Sequence, residues 1–240
     1  MDIQVRLAMS GAKDTMLAQS VNTHNLANAS TPGFRGDLIK FTSDRTMAGE
    51  VTQAINAIDL RQGDMQTTGR QLDVAIDGEG WIAIQAPDGS EAYSRRGDLR
   101  INGQGQLEDG AGRPIMGNSG PISVPPFSQI EIGSDGTLSI LPVGQSANSL
   151  ATVDRIKLVE ADPTALYKGD DGLLRLPATS PPVPSAKVKL VSGSLEGSNV
   201  NPIESLVKMI DLARQFEAQV KMMDTAGQND QSLASVMRIG

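Results

Sequence analysis

From Ile3 to Ala27 the residues Val5, Met9, Ala12 and Met16 recur at alternating spacings of four and three, and Thr23 and Leu26 carry the series past a polar gap at Gln19. This spacing predicts an amphipathic helix with a narrow seam. The helix is expected to stop at Asn28, a residue that tolerates left-handed backbone, and Pro32-Gly33 prevents it from resuming. Towards the other end, Asn201-Pro202 supplies a cap followed by proline at the first helical position. Leu206, Met209, Ala213, Phe216, Val220 and Met223 then keep a strict three-four alternation. Gly227 holds the register, Asp230 interrupts it, and Ala234 and Met237 resume it.

Between these segments the periodicity changes. Short apolar or alternating runs at Val74 to Ile76, Trp81 to Ile84, Gln129 to Ile132, Thr137 to Leu141 and Arg155 to Glu160 read as strands. They are punctuated by Asp77-Gly78, Asp88-Gly89, Asn102-Gly103, Asp109-Gly110, Asp135-Gly136 and Asp171-Gly172. Such pairs suit type I′ hairpin turns, whose two central residues both need positive φ. Their spacing is irregular, which excludes a fixed-period repeat array. Pro181-Pro182-Val183-Pro184 interrupts the region before a last strand at Lys187 to Val191, suited to an edge. Residues 42 to 72 mix a short strand or helix at Val51 to Leu60 with polar turn material.

The expected fold is α+β: an irregular, mainly antiparallel β domain inserted between N- and C-terminal helices that pair as a coiled coil. The expected divisions are a helix and bend at 1–35, a connector at 36–72, a β-rich domain at 73–192, and a hinge with the C-terminal helix at 193–240. Several seam residues are Ala or Thr, so two long helices bury little apolar area between them. Their ends are therefore expected to order when neighbouring copies or partner subunits cover them.

Composition narrows the chemistry. The chain has 240 residues, a net charge of -7 and 21 scattered basic residues, so it lacks the basic stripe that nucleic-acid binding requires. Aromatics make up 3% against 25 glycines and 13 prolines, which favours short strands and loops over a dense enzyme core. No run reaches the length of a membrane span, and Met1-Asp2-Ile3-Gln4 does not begin like a cleaved secretory signal, so neither membrane insertion nor such a signal is expected. There is no cysteine, and His24 is the only histidine, so a Cys-His or Ser-His nucleophile has no base to rely on.

The remaining motifs are weak. Asp170-Asp171 and Glu108-Asp109 are the carboxylate pairs a cell-wall glycan hydrolase would need, yet acids beside glycine read better as loop residues, as they do against a calcium loop. Gly78-Glu79-Gly80 lacks the third glycine and the following helix of a phosphate loop. Asn28-Ala29-Ser30 matches a glycosylation sequon, and Gly193 to Gly197 has GxxxG spacing outside any apolar span, which reads as a hinge. No catalytic residue, cofactor or metal is expected. A β-rich adhesin is the non-enzymatic rival, disfavoured because paired terminal seams suit polymer assembly.

Asn25-Leu26-Ala27-Asn28 followed by Thr31, Gly33, Phe34 and Arg35 resembles the N-terminal hallmark of the flagellar basal-body rod and hook family of axial proteins. Residues 63 to 107 and 195 to 223 resemble that family's β-rich signature and C-terminal helix. The short connection between Phe34 and Gly63 is unlike its distal-rod and hook members, and His24 stands where an asparagine is frequent. The resemblance implies a non-catalytic subunit, exported unfolded through the flagellar type III apparatus into a rod that crosses the periplasm. It implies as partners copies of the chain and the rod proteins FlgB, FlgC and FlgG. On this reading the terminal helices form the inner tube and the β domain its outer layer. Val5, Met9, Ala12, Met16, Leu26, Leu206, Met209, Ala213, Phe216, Val220 and Met223 carry assembly, and the bend at 25–35 redirects the chain.

Overall fold

The computed structural model describes residues 2–46, 49–144, 150–169, 171–177, 179 and 182–237. Met1, Asp170 and Pro181, and the side chains of Ile3, Val51, Asp230, Ala234 and Met237, lie outside the described residues. The fold is α+β, with a helix at each end and a mainly antiparallel β middle. The chain forms two compact units, one of Met1–Ala29, Asp37–Ala57 and Val200–Gly240, the other of Ser30–Gly36 and Ile58–Asn199.

The first unit contains α1 (Asp2–Ala27), the two-stranded sheet of β1 (Asp37–Thr46) with β2 (Gly49–Ile58), and α2 (Pro202–Met237). Asn201 caps α2: its Oδ1 accepts the N–H groups of Ile203 and Glu204 at 2.9 and 3.3 Å, with Pro202 at the position where a missing N–H is harmless. Over its 36 residues α2 spans about 54 Å.

Among the described residues the second unit holds fifteen short strands. In chain order they are β3 (Met65–Thr67), β4 (Val74–Asp77), β5 (Trp81–Gln85), β6 (Glu91–Ser94), β7 (Arg100–Ile101), β8 (Leu107–Glu108), β9 (Phe127–Ile132) and β10 (Thr137–Pro142). There follow β11 (Ala151–Arg155), β12 (Leu158–Glu160), β13 (Tyr167–Lys168), β14 (Leu174–Arg175), β15 (Val183–Pro184), β16 (Lys189–Ser192) and β17 (Ser194–Glu196). A six-stranded sheet of order β13-β14-β6-β5-β12-β15 and a three-stranded sheet β11-β10-β9 are joined by the pairs β16-β4, β17-β3 and β7-β8.

β5 is buried on both faces, which explains its unbroken apolar sequence. Ile82 and Ile84 enter the main core with Ile76, Leu107, Ile115 and Leu138, whereas Trp81 and Ala83 pack with Tyr93, Val159 and Leu174.

The structure corrects two local expectations. The strand expected from Arg155 to Glu160 is broken at Ile156-Lys157, where the chain passes from the three-stranded to the six-stranded sheet. There the Ile156 N–H donates to Gly136 O at 2.8 Å and the Lys157 N–H to Met116 O at 2.9 Å. The Asp-Gly and Asn-Gly pairs do not form type I′ turns, because among the described residues only glycines have positive φ. Instead the side-chain oxygens of Asp88, Asn102, Asp109, Asp135 and Asp171 accept the N–H two residues on. The side chain supplies the turn that the backbone was expected to make.

Candidate assembly surface and bend

Within the first unit α1 and α2 pack antiparallel. Asn22 Nδ2 donates to Ser205 O at 2.7 Å near one end, and further along Gly11 lies against the Gln219 side chain. The buried positions are mostly small, Ala8, Ala12, Thr15 and Asn22 from α1 and Ser205 and Ala226 from α2, with Leu212 of α2 the large exception. Val5, Leu26, Met209, Phe216 and Met223 are half-buried beside them. Thr15 Oγ1 returns its proton to Gly11 O at 2.7 Å, so its hydroxyl is satisfied within the helix.

The inward seam therefore departs from the predicted one at alternate positions. Ala8 and Thr15 face α2 where Met9 and Met16 were expected, and Ser205 and Leu212 face α1 where Leu206 and Ala213 were. The interaxial distance is set by the side chains at the contact: at 8, 15 and 205 the smaller residue turns inward and its bulkier neighbour is displaced to the side, whereas Leu212 is buried and Ala213 half-buried. Met9, Met16 and Leu206 are left 57%, 58% and 51% exposed. With about 100° per residue, they project from one flank of the pair together with the half-buried Ala213 and Val220. The opposite flank is a groove of about 780 Å³ lined by Leu7, Gly11, Asp14, Ala218, Met222 and Thr225, among others. Ile203, Val207 and Ile210 add further exposed apolar surface near the start of α2. Single exposed apolar residues are ordinary, but exposed apolar side chains clustered on one flank of a helix pair, opposite a groove, mark a candidate interaction surface.

At the end of α1, Asn28 does not adopt left-handed backbone as expected. Its side chain donates to His24 O at 3.0 Å and its N–H to the carbonyls of His24 and Asn25, which closes the last turn. Asn25 imitates a peptide unit: its Nδ2 donates to Asp37 O at 2.8 Å, and its Oδ1 accepts the Asp37 N–H at 2.7 Å. His24 Nδ1 lies 2.7 Å from Asp37 Oδ2, so two adjacent residues of α1, His24 and Asn25, converge on the first residue of β1. Leu26 is half-buried and Ala27 exposed.

The rest of the motif belongs to the second unit. Gly33 has φ 66° and donates its N–H to Glu196 O at 2.8 Å, and a Cβ there would overlap the backbone of Arg95 and Arg96. Only glycine meets both conditions. The Phe34 N–H donates to Thr31 O at 3.3 Å, and Lys168 Nζ sits 4.5 Å from the centre of the Phe34 ring. Asn199 gathers the neighbouring chain: its Oδ1 accepts the Gly36 N–H at 2.8 Å, and its Nδ2 donates to Asp59 O and Arg61 O.

Arg35 leads to a buried charge cluster. Glu196 is 1% exposed and pairs with Arg35 Nη2 at 2.5 Å and Arg95 Nη1 at 3.0 Å, while its Oε1 also accepts the Gly63 N–H at 3.0 Å. Arg95 further donates to Gly78 O and Gly80 O and lies 5.5 Å from the centre of the Trp81 ring. Burial holds the Arg95 pKa below its ordinary value, partly offset by the Glu196 charge. The Gly78-Glu79-Gly80 fragment is thus a carbonyl cradle for a guanidinium. Sequence reasoning missed Glu196 and Arg95. The available signal was β alternation, since Ser194 and Glu196 are the inward positions of β17.

The described candidate carboxylates are held in ion pairs. Asp171 pairs with Arg175 at 2.7 Å, Glu108 with Arg100 at 2.7 Å and Asp109 with Arg113 at 3.2 Å. No group of metal-ligating side chains is assembled among the described residues. No described helix is long and apolar enough to cross a membrane.

Comparison with known proteins matches three ordered stretches. Residues 6–35 match the family described as flagella basal body rod protein, residues 75–140 the flagellar hook protein FlgE/F/G D1 domain, and residues 191–236 the flagellar basal body rod FlgEFG protein C-terminal region. The flagellar basal-body rod protein FlgF of Escherichia coli K12 is 42% identical over 98% of this chain and 99% of its own length. FlgF of Salmonella typhimurium LT2 is 40% identical over 96% of each chain. FlgG of Buchnera aphidicola subsp. Schizaphis graminum is 29% identical over 96% of this chain and 98% of its own length.

Proposed function

Since the chain belongs to the FlgF family of flagellar basal-body rod proteins, we infer that its two terminal helices are the elements through which it polymerises into the rod. The chain is a structural subunit of the flagellar basal body and not an enzyme. The observation that carries the polymerisation reading is the exposure of Met9, Met16 and Leu206 beside a closed, small-residue seam. Burying a large apolar side chain contributes about 1.5 to 3 kcal/mol, so this flank is costly to leave in water and stabilising to cover.

The two flanks of the pair differ, one a ridge of larger side chains and the other a groove. Contact between unlike surfaces is head-to-tail and builds rings or open helical arrays in place of closed dimers, and the helical array is the one a tube requires. Residues 1–35 and 193–240 form the tube-forming part, with α1 and α2 wound as a coiled coil, 36–72 the connector and 73–192 the β-rich domain. The neighbours are copies of the chain and the rod proteins FlgB, FlgC and FlgG. Delivery is by the flagellar type III export apparatus into a periplasm-spanning rod. The higher identity to FlgF than to FlgG favours the proximal segment over the distal one.

Replacing Met9 and Met16 with glutamate tests the reading. The variant is expected to fold as a monomer, to be exported, and to leave cells without complete rods. Normal motility would refute it.

A further inference from the structure

The groove on one flank of the helix pair and the ridge on the other match in spacing as well as in shape. Gly11, Ala218 and Ala226 line the groove, and their small side chains leave the space open. Leu7 and Met222 form exposed apolar walls. Along α1 the groove residues Leu7, Gly11 and Asp14 follow one another at four and three residues. Met9, Lys13 and Met16 repeat that spacing on the ridge, and residues three and four apart share a helix face. The two stripes therefore have the same length, about 10.5 Å at 1.5 Å per residue.

The charges of the two flanks are opposite, helix by helix. On α1 the ridge carries Lys13, which is exposed, and the groove carries Asp14. On α2 the ridge stripe continues through Ala213, Glu217, Val220 and Asp224 at four-, three- and four-residue steps, and Lys221 lines the groove. Two helix pairs laid side by side in the same direction, ridge to groove, set α1 beside α1 and α2 beside α2. Lys13 of one copy then stands within one residue of the level of Asp14 in the next, about 1.5 Å along the axis. Lys221 stands between the levels of Glu217 and Asp224. Such exposed charge pairs select the partner and fix the register, while covering Met9 and Met16 supplies the favourable burial.

We propose that the groove takes the Met9, Lys13 and Met16 stripe of a second copy of this chain. The visiting Lys13 pairs with Asp14 of the groove, and Lys221 of the groove pairs with the visiting Glu217 and Asp224. This rests on the reading that the terminal helices polymerise, and it adds the occupant of the groove, the direction of the neighbour and the register between them.

The test is charge reversal in the full-length chain, expressed in flagellated cells. Lys13→Glu and Asp14→Lys each set like charges against one another at every contact, and each is expected to reduce the number of complete rods about tenfold. The double reversal restores the attraction and is expected to restore the rods. A chain carrying both Met9→Cys and Met222→Cys, on opposite flanks that cannot meet within one copy, is expected to form disulfide-linked oligomers when intact basal bodies are oxidised. Neither single cysteine variant is expected to do so. Single reversals that assemble like wild type, or a double reversal no better than the singles, would overturn the proposal. So would disulfides from Met9→Cys alone, which set ridge against ridge, or no disulfide from the double variant. If the reversals assemble normally while the Met9 and Met16 glutamate variant still lacks rods, polymerisation through the helices stands and only this contact falls.

Discussion

Replacing Glu196 with alanine removes the single carboxylate shared by Arg35 and Arg95 and leaves two guanidiniums buried without their counter-charge. Breaking a buried pair by deleting one partner costs about 3–5 kcal/mol, because the remaining charge stays desolvated. The Gly63 N–H also loses its acceptor. For a unit of this size that loss corresponds to a fall in melting temperature of roughly 6–20 °C. Trp81 is the only tryptophan, is 6% exposed and lies under Arg95, so its fluorescence in a urea titration reports on this cluster directly. Glu196→Gln keeps the shape and an acceptor for Gly63 while removing the charge, and is expected to fall between wild type and alanine. A loss below about 1 kcal/mol in Glu196→Ala, the net worth of one ordinary hydrogen bond, would refute the view that this cluster anchors the bend.

Gly33→Val is expected to destabilise the β-rich unit as well as to block assembly, since its side chain would overlap the Arg95–Arg96 backbone; a thermal melt indistinguishable from wild type would contradict this. Asn199→Ala, which frees the Gly36 N–H and two carbonyls, should cost about 1–3 kcal/mol by urea unfolding. Leu206→Glu changes an exposed position and should move monomer stability by no more than about 0.5 kcal/mol while abolishing rod completion in a motility assay. Limited proteolysis of the monomer should remove both terminal helices and leave a core close to residues 30–199, identified by mass.

Both helices were legible because a three-four spacing of apolar residues has few other readings, and the Asn201-Pro202 cap located the start of α2. What the spacing could not decide was which of two adjacent stripes turns inward. Hydrophobic ranking selects Met9, Met16 and Leu206, but close approach of two helices selects Ala8, Thr15 and Ser205, and only at 212–213 does the bulkier residue, Leu212, turn inward. The Asp-Gly and Asn-Gly pairs were legible as turns and misleading about turn type, because an aspartate or asparagine side chain can bond its own backbone in place of a positive φ. The charge cluster was beyond local reading altogether: Glu196 and its two arginines are more than a hundred residues apart, and nothing in GSLEG distinguishes a hinge from the site of a buried acid.

Because the chain has no cysteine of its own, single cysteines at Met16 and Leu206 report contacts without background. Cross-linking of these variants in intact basal bodies is the most direct measurement of whether the exposed flank of the helix pair is the assembly surface. Covalent adducts to a second copy or to another rod protein are predicted at both positions, with none from a control cysteine at the exposed Asp88. Efficient labelling of Met16 and Leu206 by a soluble maleimide within the assembled rod, with no adducts, would show the flank open to solvent and contradict the account.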